Sequence, residues 1–490
     1  MRRLAVAAGG CLVAAVGLRV PALAMPLDRD TALYAAIGQR IGFDRLPYRD
    51  FFDHKQPLIH WVYALLDLLA PGSLAGIRLA AAVPSALVAA GLFVFLERVA
   101  GARRAVAAAG LVVLLSASTT LQGTDLNTEH LLTLPAAATA LWALSLDRPG
   151  MRGGPFAIGL VGGVAILAKA SAGPIVLAAL IPLLTARGSR GQSALATIVR
   201  FGAGLVLPLA VVVTGYEAAG ALDDFVFANW TYNSRYVGQY GFTLRPLGPE
   251  AVQLLFGAAL CWGVVRLSSV SGRDVLTWTL LAWLLGAWLG AQASSRGYAH
   301  YYAPVVAPAV ALLVLPPRPV SRALGLARGA ALAVGALAVV LIAVPVAGNF
   351  GRSGDEISAD VYGPEELELW KPADVVGSFL RRRDPRADLF VVGSEPQYYW
   401  RSGLRAANRW LFDYPVGVAP ERFLPEVAGL CVDGPRFVVI AARVMPAYAR
   451  HCTARSGYSE ILRRGPITVL EHVPAQAGLS ASPPGRRARG

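Results

Sequence analysis

The sequence predicts an α-helical membrane protein with about eleven transmembrane helices and a small C-terminal α/β soluble domain. The chain has 490 residues, of which 55% are hydrophobic and only 16% are charged, whereas soluble domains usually carry about 25% charged residues. Residues 4–346 form a succession of apolar runs, most of them near the length that crosses about 30 Å of hydrocarbon. After Gly348 the density of charge becomes ordinary. These observations predict one large membrane domain followed by one small soluble domain.

The apolar runs define the predicted spans. They lie near residues 4–25, 74–96, 105–121, 131–146, 156–168, 174–186, 197–217, 250–267, 275–292, 300–316 and 329–347. A further run at residues 57–70 is shorter and contains His60 and Asp67, so it is predicted to lie along the membrane interface. Residues 1–25 resemble a cleavable signal peptide, but a distinctive polar segment follows at once. We therefore interpret them as an uncleaved first span.

The distribution of arginines predicts the orientation of these spans. If the N-terminus is cytoplasmic and residues 57–70 do not cross the membrane, the inner loops hold most of the basic residues, as the positive-inside rule requires. These are Arg98, Arg103, Arg104, Arg148, Arg152, Arg187, Arg190, Arg266, Arg273, Arg318, Arg322 and Arg328. The net charge of +14 is then a signal of topology and indicates no nucleic-acid partner. The prediction is a multi-pass protein of the plasma (inner) membrane with an extracytoplasmic C-terminal domain.

The predicted domains are a transmembrane domain at 1–348, an extracytoplasmic α/β domain at 349–475 and a disordered tail at 476–490. Within the α/β domain, residues 364–383 suit one helix, and residues 389–392, 437–440 and 467–470 suit short buried strands. Cys431 and Cys452 both fall in this domain, where an oxidising compartment would allow a disulfide. Whether they are bonded is left open, because their separation cannot be read from sequence.

The first predicted outer loop is the richest in chemistry. It contains Asp28 and Asp30 just past a span, then Tyr34, and then the segment Pro47-Tyr48-Arg49-Asp50-Phe51-Phe52-Asp53-His54-Lys55-Gln56-Pro57. Charged groups near a bilayer are costly and indicate function by default. Paired carboxylates suit a general base or a metal ligand, and the adjacent cations suit a phosphate.

This loop resembles the first external loop of the GT-C superfamily of membrane glycosyltransferases. The likeness is to the branch with the protein O-mannosyltransferases and the aminoarabinose transferases that modify lipid A. The family pattern has an acidic pair with a Tyr four residues on, then Pro-Tyr-Arg-Asp and His-Lys-Pro-Pro. Residues 30–34, 47–50 and 54–57 match these three parts in order. Thr31 and Gln56 depart from the pattern, and the first departure weakens a metal site at that acidic pair.

Three later loops are similar to the family's in order and predicted side. They carry Asp125 and Glu129, then Lys169, and then Arg296, His300 and Tyr301. Each has an ordinary structural alternative: Glu129 at a helix N-terminus, Lys169 extending to the interface, and His300 at a helix start. In the large outer loop, Trp230, Tyr232, Tyr236 and Tyr240 favour an aromatic belt over a sugar-stacking platform.

The resemblance implies a glycosyltransferase that uses a polyprenyl-phosphate-linked sugar and an extracytoplasmic acceptor, which could be a glycan, a lipid or a protein. Inverting in-line displacement is implied, with Asp30, assisted by Asp28, as the catalytic carboxylates. The donor phosphate would meet His54, Lys55, Lys169, Arg296, His300 and Tyr301, and Tyr34, Tyr48, Arg49, Asp125 and Glu129 would line the site. Either no cofactor is required, or a divalent cation (Mg²⁺ or Mn²⁺) binds Asp28 and Asp30.

A transporter or flippase of a lipid-linked sugar is the alternative. It explains the spans and the charged groups, but it does not explain why the charges gather on one predicted face, since transporter sites usually lie near the bilayer midplane. The sequence contains no phosphate-binding Gly-x-x-x-x-Gly-Lys-Ser/Thr loop. The sugar, whether hexose or pentose, is not identified by the sequence.

Overall fold

The architecture comes from a computed structural model, which divides into two compact units, Met1–Trp370 and Lys371–Gly490. The residues that the structure describes are 2–42, 45–146, 154–186, 193–239, 241, 246–268, 274–293, 295–430, 434–444, 446–447, 449 and 457–472. The predicted tail at 476–490 and both Cys431 and Cys452 lie outside these residues. The domain boundaries 1–348 and 349–475 stay predictions.

The first unit is helical wherever regular structure is described, apart from one isolated bridge in the first loop. Its α-helices are α1 (Arg2–Gly17), α2 (Arg29–Gly38), α3 (Leu58–Leu69), α4 (Leu74–Ala80), α5 (Ala82–Ala100), α6 (Ala102–Ser116), α7 (Thr128–Ser145), α8 (Pro155–Ala168), α9 (Gly173–Leu177), α10 (Leu180–Ala186), α11 (Ala194–Ala218), α12 (Leu222–Val226), α13 (Asn233–Gly238), α14 (Glu250–Ser268), α15 (Val275–Gln292), α16 (Val306–Val314), α17 (Arg322–Gly348), α18 (Gly354–Tyr362) and α19 (Pro364–Trp370). A π-helical turn, Phe227–Tyr232, joins α12 to α13, and a 3₁₀ turn, Ala299–Val305, leads into α16.

Five helices of the described chain are long and apolar enough to cross a membrane. They are Leu74–Ala100 (α4 and α5 together), Ala194–Ala218, Glu250–Ser268, Val275–Gln292 and Arg322–Gly348. Shorter apolar helices accompany them at Arg3–Gly17, Leu58–Leu69, Pro155–Ala168, Ala170–Thr185 and Ala299–Val314. The predicted class, a polytopic helical membrane protein, is therefore confirmed, while the number eleven and the orientation stay predictions.

Two glycines allow α8 and α11 to pack closely. A Cβ atom on Gly159 of α8 would collide with the carbonyl oxygen of Phe201, and one on Gly204 of α11 would collide with that of Phe156. Small residues at helix contacts are typical of membrane bundles, where close van der Waals packing replaces the hydrophobic effect. These glycines therefore bring the two helix backbones together.

The helix α3 is amphipathic. His60 and Tyr63 on one side are buried, whereas Leu65, Leu68 and Leu69 are more than half exposed. A short helix with one buried face and one exposed apolar face fits the predicted interfacial helix.

The second unit contains a five-stranded mixed sheet with strand order β2-β1-β3-β5-β4. Its elements are α20 (Ala373–Arg383), β1 (Asp388–Val392), α21 (Gln397–Ser402), β2 (Arg405–Ala406), α22 (Tyr414–Val418), α23 (Pro420–Leu430), β3 (Phe437–Ile440), β4 (Tyr458–Arg464) and β5 (Ile467–His472). β1 pairs in parallel with β2 and with β3, and β5 pairs antiparallel with β3 and with β4. The three predicted strands correspond to β1, β3 and β5.

Two features of this C-terminal part differ from the sequence prediction. The single helix predicted at 364–383 is two helices, α19 and α20, because the segment contains Pro372, which lacks an amide proton and caps a new helix. Both edge strands were missed: the exposed residues of β4 give it no buried apolar run, and β2 has only two residues.

Candidate active site

Two carboxylates at the start of α2 occupy different environments. Asp28 caps the helix and is only 7% exposed, and its carboxylate accepts a hydrogen bond from the Thr31 amide at 3.2 Å. Burial, together with the nearby carboxylates of Asp125 and Asp30, raises the pKa of Asp28 to about 7. Asp30, in the first turn, has a side chain that is 37% exposed. Of the two predicted catalytic carboxylates, only Asp30 is open to a substrate.

Lys55 reaches Asp30 from the second half of the first loop. Its Nζ atom lies 3.7 Å from Oδ2 of Asp30, and its side chain is only 13% exposed. Burial alone would lower the pKa of Lys55, but Asp30 and the hydroxyls of Tyr34 and Tyr301 outweigh it, so the pKa is well above its ordinary value. Lys55 therefore carries a positive charge in a largely dry pocket.

Asp53 is a buried carboxylate near Lys55, and the sequence analysis gave it no role. Asp53 is fully buried, with His54 Nδ1 3.4 Å from one oxygen and His60 Nε2 3.4 Å from the other. Burial raises the pKa of Asp53 to about 7 and lowers that of His60 to about 3. Burial and the neighbouring cations also hold the pKa of His54 well below its usual range. Both imidazoles are therefore neutral at physiological pH. The sequence shows that Asp53 and His54 are neighbours, but it does not show that His60 contacts Asp53.

The later loops meet in a second ionic group. Lys169 donates a hydrogen bond to Glu129, and its ammonium lies 3.9 Å from the ring centroid of Tyr301. Nε2 of His300 is 3.9 Å from Oε2 of Glu129, and Nδ1 of His300 contacts the side chain of Gln122. Glu129, Lys169, His300 and Tyr301 are thus brought together, although they were predicted on separate loops.

The two ionic groups form one electrostatic cluster. The charges of both Asp30 and Lys55 act on Lys169 and on His300. Ionisable side chains from four loops therefore occupy one region of the first unit.

The aromatic loop divides between the site and the surface. Tyr236 lies under the guanidinium of Arg296, whose Cζ is 4.1 Å from the ring centroid. The ring centroid of Tyr236 is also 4.9 Å from that of His54, and Tyr232 is fully buried beside it. Trp230, by contrast, is 75% exposed. Tyr232 and Tyr236 therefore pack against the first loop, and Trp230 fits an aromatic belt; Tyr240 lies outside the described residues.

Four other predicted site residues have mainly structural partners. Asp125 is buried in an ion pair with Arg78 and accepts a hydrogen bond from the Tyr362 hydroxyl at 2.7 Å. Arg49 pairs with its neighbour Asp50 at 2.8 Å. The ring of Tyr34 packs on Tyr63 at a centroid distance of 5.5 Å. The hydroxyl of Tyr48 donates to the carbonyl oxygen of Lys55 at 2.7 Å.

The described residues offer little for a metal ion. No three His, Cys, Asp or Glu side chains among them are placed to hold one. Asp28 uses its carboxylate to cap α2 and to accept from Thr31, so the predicted Asp28 and Asp30 pair does not present two open ligands. The donor set of the described chain therefore does not fit the divalent cation that the sequence left open.

The chain is similar to one known family and to solved structures of membrane proteins. The family described as "Dolichyl-phosphate-mannose-protein mannosyltransferase" matches residues 54–216. The crystal structure of ArnT from Cupriavidus metallidurans bound to undecaprenyl phosphate is similar to the chain, with a TM-score of 0.60 and 16% identity, over 96% of this chain and 98% of that chain. The apo structure of the same protein gives a TM-score of 0.56 and 17% identity, over 94% of this chain and 96% of that chain. A comparison with curated proteins finds no significant match.

The fold is that of the GT-C superfamily, as the first loop predicts. The shared fold and the family match over residues 54–216 agree with the predicted resemblance to this superfamily of membrane glycosyltransferases. At these identities the likeness to ArnT is a likeness of fold.

Proposed function

We propose that the protein transfers a sugar from a polyprenyl-phosphate-linked donor to an acceptor on the extracytoplasmic face of the membrane. The observation that carries this proposal is the pairing of an accessible carboxylate, Asp30, with a largely buried ammonium, Lys55, at 3.7 Å. A base and a phosphate-binding cation are the two groups that such a transfer needs in one place. The undecaprenyl phosphate bound to a structure of the same fold supports this choice of lipid.

The reaction is an in-line displacement at the anomeric carbon, with inversion. The acceptor hydroxyl gives its proton to the carboxylate of Asp30, and its oxygen forms the new bond to the anomeric carbon. The bond between that carbon and the phosphate oxygen breaks, and its electron pair stays on the polyprenyl phosphate. General-base assistance of this kind typically contributes about 10²–10⁴-fold.

The cations stabilise the leaving phosphate. Lys55 and Lys169 are charged side chains with little exposure, and Arg296 lies close by over Tyr236. Preorganised charges in a dry site stabilise developing negative charge far better than the same charges in water. Glu129 pairs with Lys169 and lies near His300, so it orients these groups.

The test compares three purified proteins: the wild type, Asp30→Asn and the control Asp223→Asn. Asp223 is an exposed carboxylate of the large predicted outer loop, and no contact of it is part of the site. Each protein receives radiolabelled polyprenyl-phosphate sugars, both hexoses and pentoses, with a membrane extract as the source of acceptor. We expect release of free polyprenyl phosphate from one donor by the wild type and the control, and loss of that release in Asp30→Asn.

Undiminished release by Asp30→Asn would refute the assignment of the base. If reconstituted wild-type protein instead moved the intact donor between leaflets without releasing polyprenyl phosphate, the transporter alternative would replace the transferase.

A further inference from the structure

The two residues at the tip of the first loop, His54 and Lys55, are held by side-chain hydrogen bonds on three of their four backbone polar groups. The His54 amide donates to Oδ1 of Asp53 at 2.6 Å. The carbonyl oxygen of His54 accepts from the Asn233 side chain at 2.8 Å. The carbonyl oxygen of Lys55 accepts from the Tyr48 hydroxyl at 2.7 Å.

The three side chains that make these bonds come from different parts of the unit. Asp53 belongs to the loop itself, Tyr48 lies seven residues before Lys55, and Asn233 begins α13, 179 residues after His54. Asp53 and Tyr48 are fully buried. Buried backbone polar groups need hydrogen-bond partners, and here side chains supply them, one of which is distant in sequence.

The backbone at Tyr48, which makes one of these bonds, is strained. Its φ angle is +72°, a conformation that bulky residues other than glycine rarely adopt and that persists only when the surroundings impose it. The ring lies 5.5 Å from that of Tyr216 and 5.6 Å from that of Phe225, between centroids. This packing fixes the ring, and the ring directs the hydroxyl to the carbonyl of Lys55.

The bond from Asn233 connects the large aromatic loop to the first loop. Its amide nitrogen also lies 3.3 Å and 3.2 Å from the carbonyl oxygens of Ala228 and Asn229 in the preceding π-helical turn. Such turns are rare and occur often at functional sites. Here the π-helical turn aims the side chain of Asn233 at the carbonyl of His54.

We propose that Asn233, Tyr48 and Asp53 are positioning residues, which hold the His54-Lys55 dipeptide so that the Lys55 ammonium is preorganised for the phosphate of a polyprenyl-phosphate ligand. This inference rests on the proposed function. A lysine side chain loses much rotamer freedom when it binds a ligand. If the backbone of Lys55 is already fixed, no backbone entropy is lost in addition. A misplacement of about 1 Å can cost about 100-fold in rate.

The test measures binding of polyprenyl phosphate to purified protein, so that it does not depend on the unknown acceptor. The variants are Tyr48→Phe and Asn233→Ala, each of which removes one hydrogen-bond donor. The matched control is Ser234→Ala, since Ser234 is the next residue on α13 and its hydroxyl donates to the Trp230 carbonyl in the preceding π-helical turn, at 2.8 Å, and not to the first loop. We expect about tenfold or greater weakening in each variant and none in the control.

Two further readouts separate positioning from a general structural role. Binding of the uncharged polyprenol should be unchanged, because only the phosphate meets Lys55. In a Lys55→Met background, Tyr48→Phe and Asn233→Ala should have no further effect, because residues that act through Lys55 lose their effect when it is absent.

The outcomes distinguish the inference from the proposed function. Wild-type protein that binds polyprenyl phosphate while Tyr48→Phe and Asn233→Ala bind it equally well would overturn the inference alone. Equal weakening of polyprenol binding, or losses that simply add to that of Lys55→Met, would also overturn it. Wild-type protein that shows no preference for polyprenyl phosphate over polyprenol would overturn the proposed function as well.

Discussion

Asp28 and Asp30 are two residues apart, but their positions at the start of a helix give them different environments. The residue that caps a helix turns its side chain back to the first amides, which buries Asp28, whereas Asp30 lies in the first turn and remains accessible. The sequence predicted both as catalytic. From the contacts of Asp28 we propose that its role is structural and that Asp30 is the one base.

The first prediction separates these two carboxylates by activity. Asp30→Asn should lower the transfer rate by about 10²–10⁴-fold, the usual contribution of a general base. Asp28→Asn should keep most of the activity, because asparagine is an equally good helix cap. Initial rates of polyprenyl phosphate release give the comparison, and equal losses in both variants would contradict it.

The second prediction concerns the pH dependence of stability at Asp28. Its pKa in the fold is about 7, above its ordinary value of 3.8, because it is buried near Asp125 and Asp30, and the bond from Thr31 and the charge of Arg78 offset this only in part. The unfolded chain therefore releases this proton first as the pH rises, and the folded state loses stability between about pH 4 and pH 7.

Asp28→Asn has no proton to lose at this position. Its melting temperature in detergent, relative to the wild type, should therefore rise across the window from pH 4 to pH 7 and stay level above it. A difference that is the same at every pH would show that Asp28 ionises normally.

At the scale of elements, the buried ion pair between Arg78 and Asp125 links α4 to the segment before α7. Both side chains are essentially inaccessible, and Arg78 also donates to the carbonyl oxygens of Met25 and Pro26. The pair thus fixes three segments around the start of α2. A buried pair is costly to break, because the remaining charge has no compensation.

The third prediction tests this link. Asp125→Asn should destabilise the protein by about 3–5 kcal/mol, the usual cost of leaving one buried charge alone. Glu97→Gln, which removes the partner of the exposed Arg3, should cost less than about 1 kcal/mol. Chemical unfolding of the two variants gives the comparison, and similar costs would contradict the structural role of Asp125.

The elements also show what the sequence could predict. Long apolar runs predict membrane helices because hydrocarbon demands both length and hydrophobicity, and the runs at 197–217, 250–267 and 275–292 correspond to α11, α14 and α15. Pairings across the chain follow no such local rule. The contact between Asn233 and His54 spans 179 residues. The aromatic residues around Asn233 predicted an aromatic belt, and nothing there indicated a contact with the first loop.

The site was predictable in part for the same reason. Asp30, Lys55, Glu129, Lys169 and His300 were found through motifs, and the structure brings them together. Asp53 and His60, which pack around these side chains, were not predicted. Nothing in the sequence around Asp53 or His60 predicts that these two side chains are buried. Their burial results from the packing of the helices.

At the scale of the whole molecule, the helical membrane class is established, and the orientation remains a prediction. The arginine-rich loops should face the cytoplasm. In a background without the four native cysteines, Ala102→Cys should be protected from an impermeant thiol reagent in intact cells. Asp223→Cys, in the predicted outer loop, should be labelled. The reverse pattern would invert the topology and place the proposed site in the cytoplasm.

The interfacial helix α3 has a consequence for how the protein can be handled. Its apolar side, with Leu68 and Leu69 exposed, faces whatever amphiphile surrounds the protein. On its opposite side His60 touches Asp53, which is adjacent in sequence to the dipeptide carrying Lys55. A detergent that covers this helix poorly should allow α3 to move, and the contact of His60 with Asp53 should then hold the Lys55 segment less firmly. Solubilisation alone should then reduce affinity for an anionic ligand, and reconstitution into lipid should restore it.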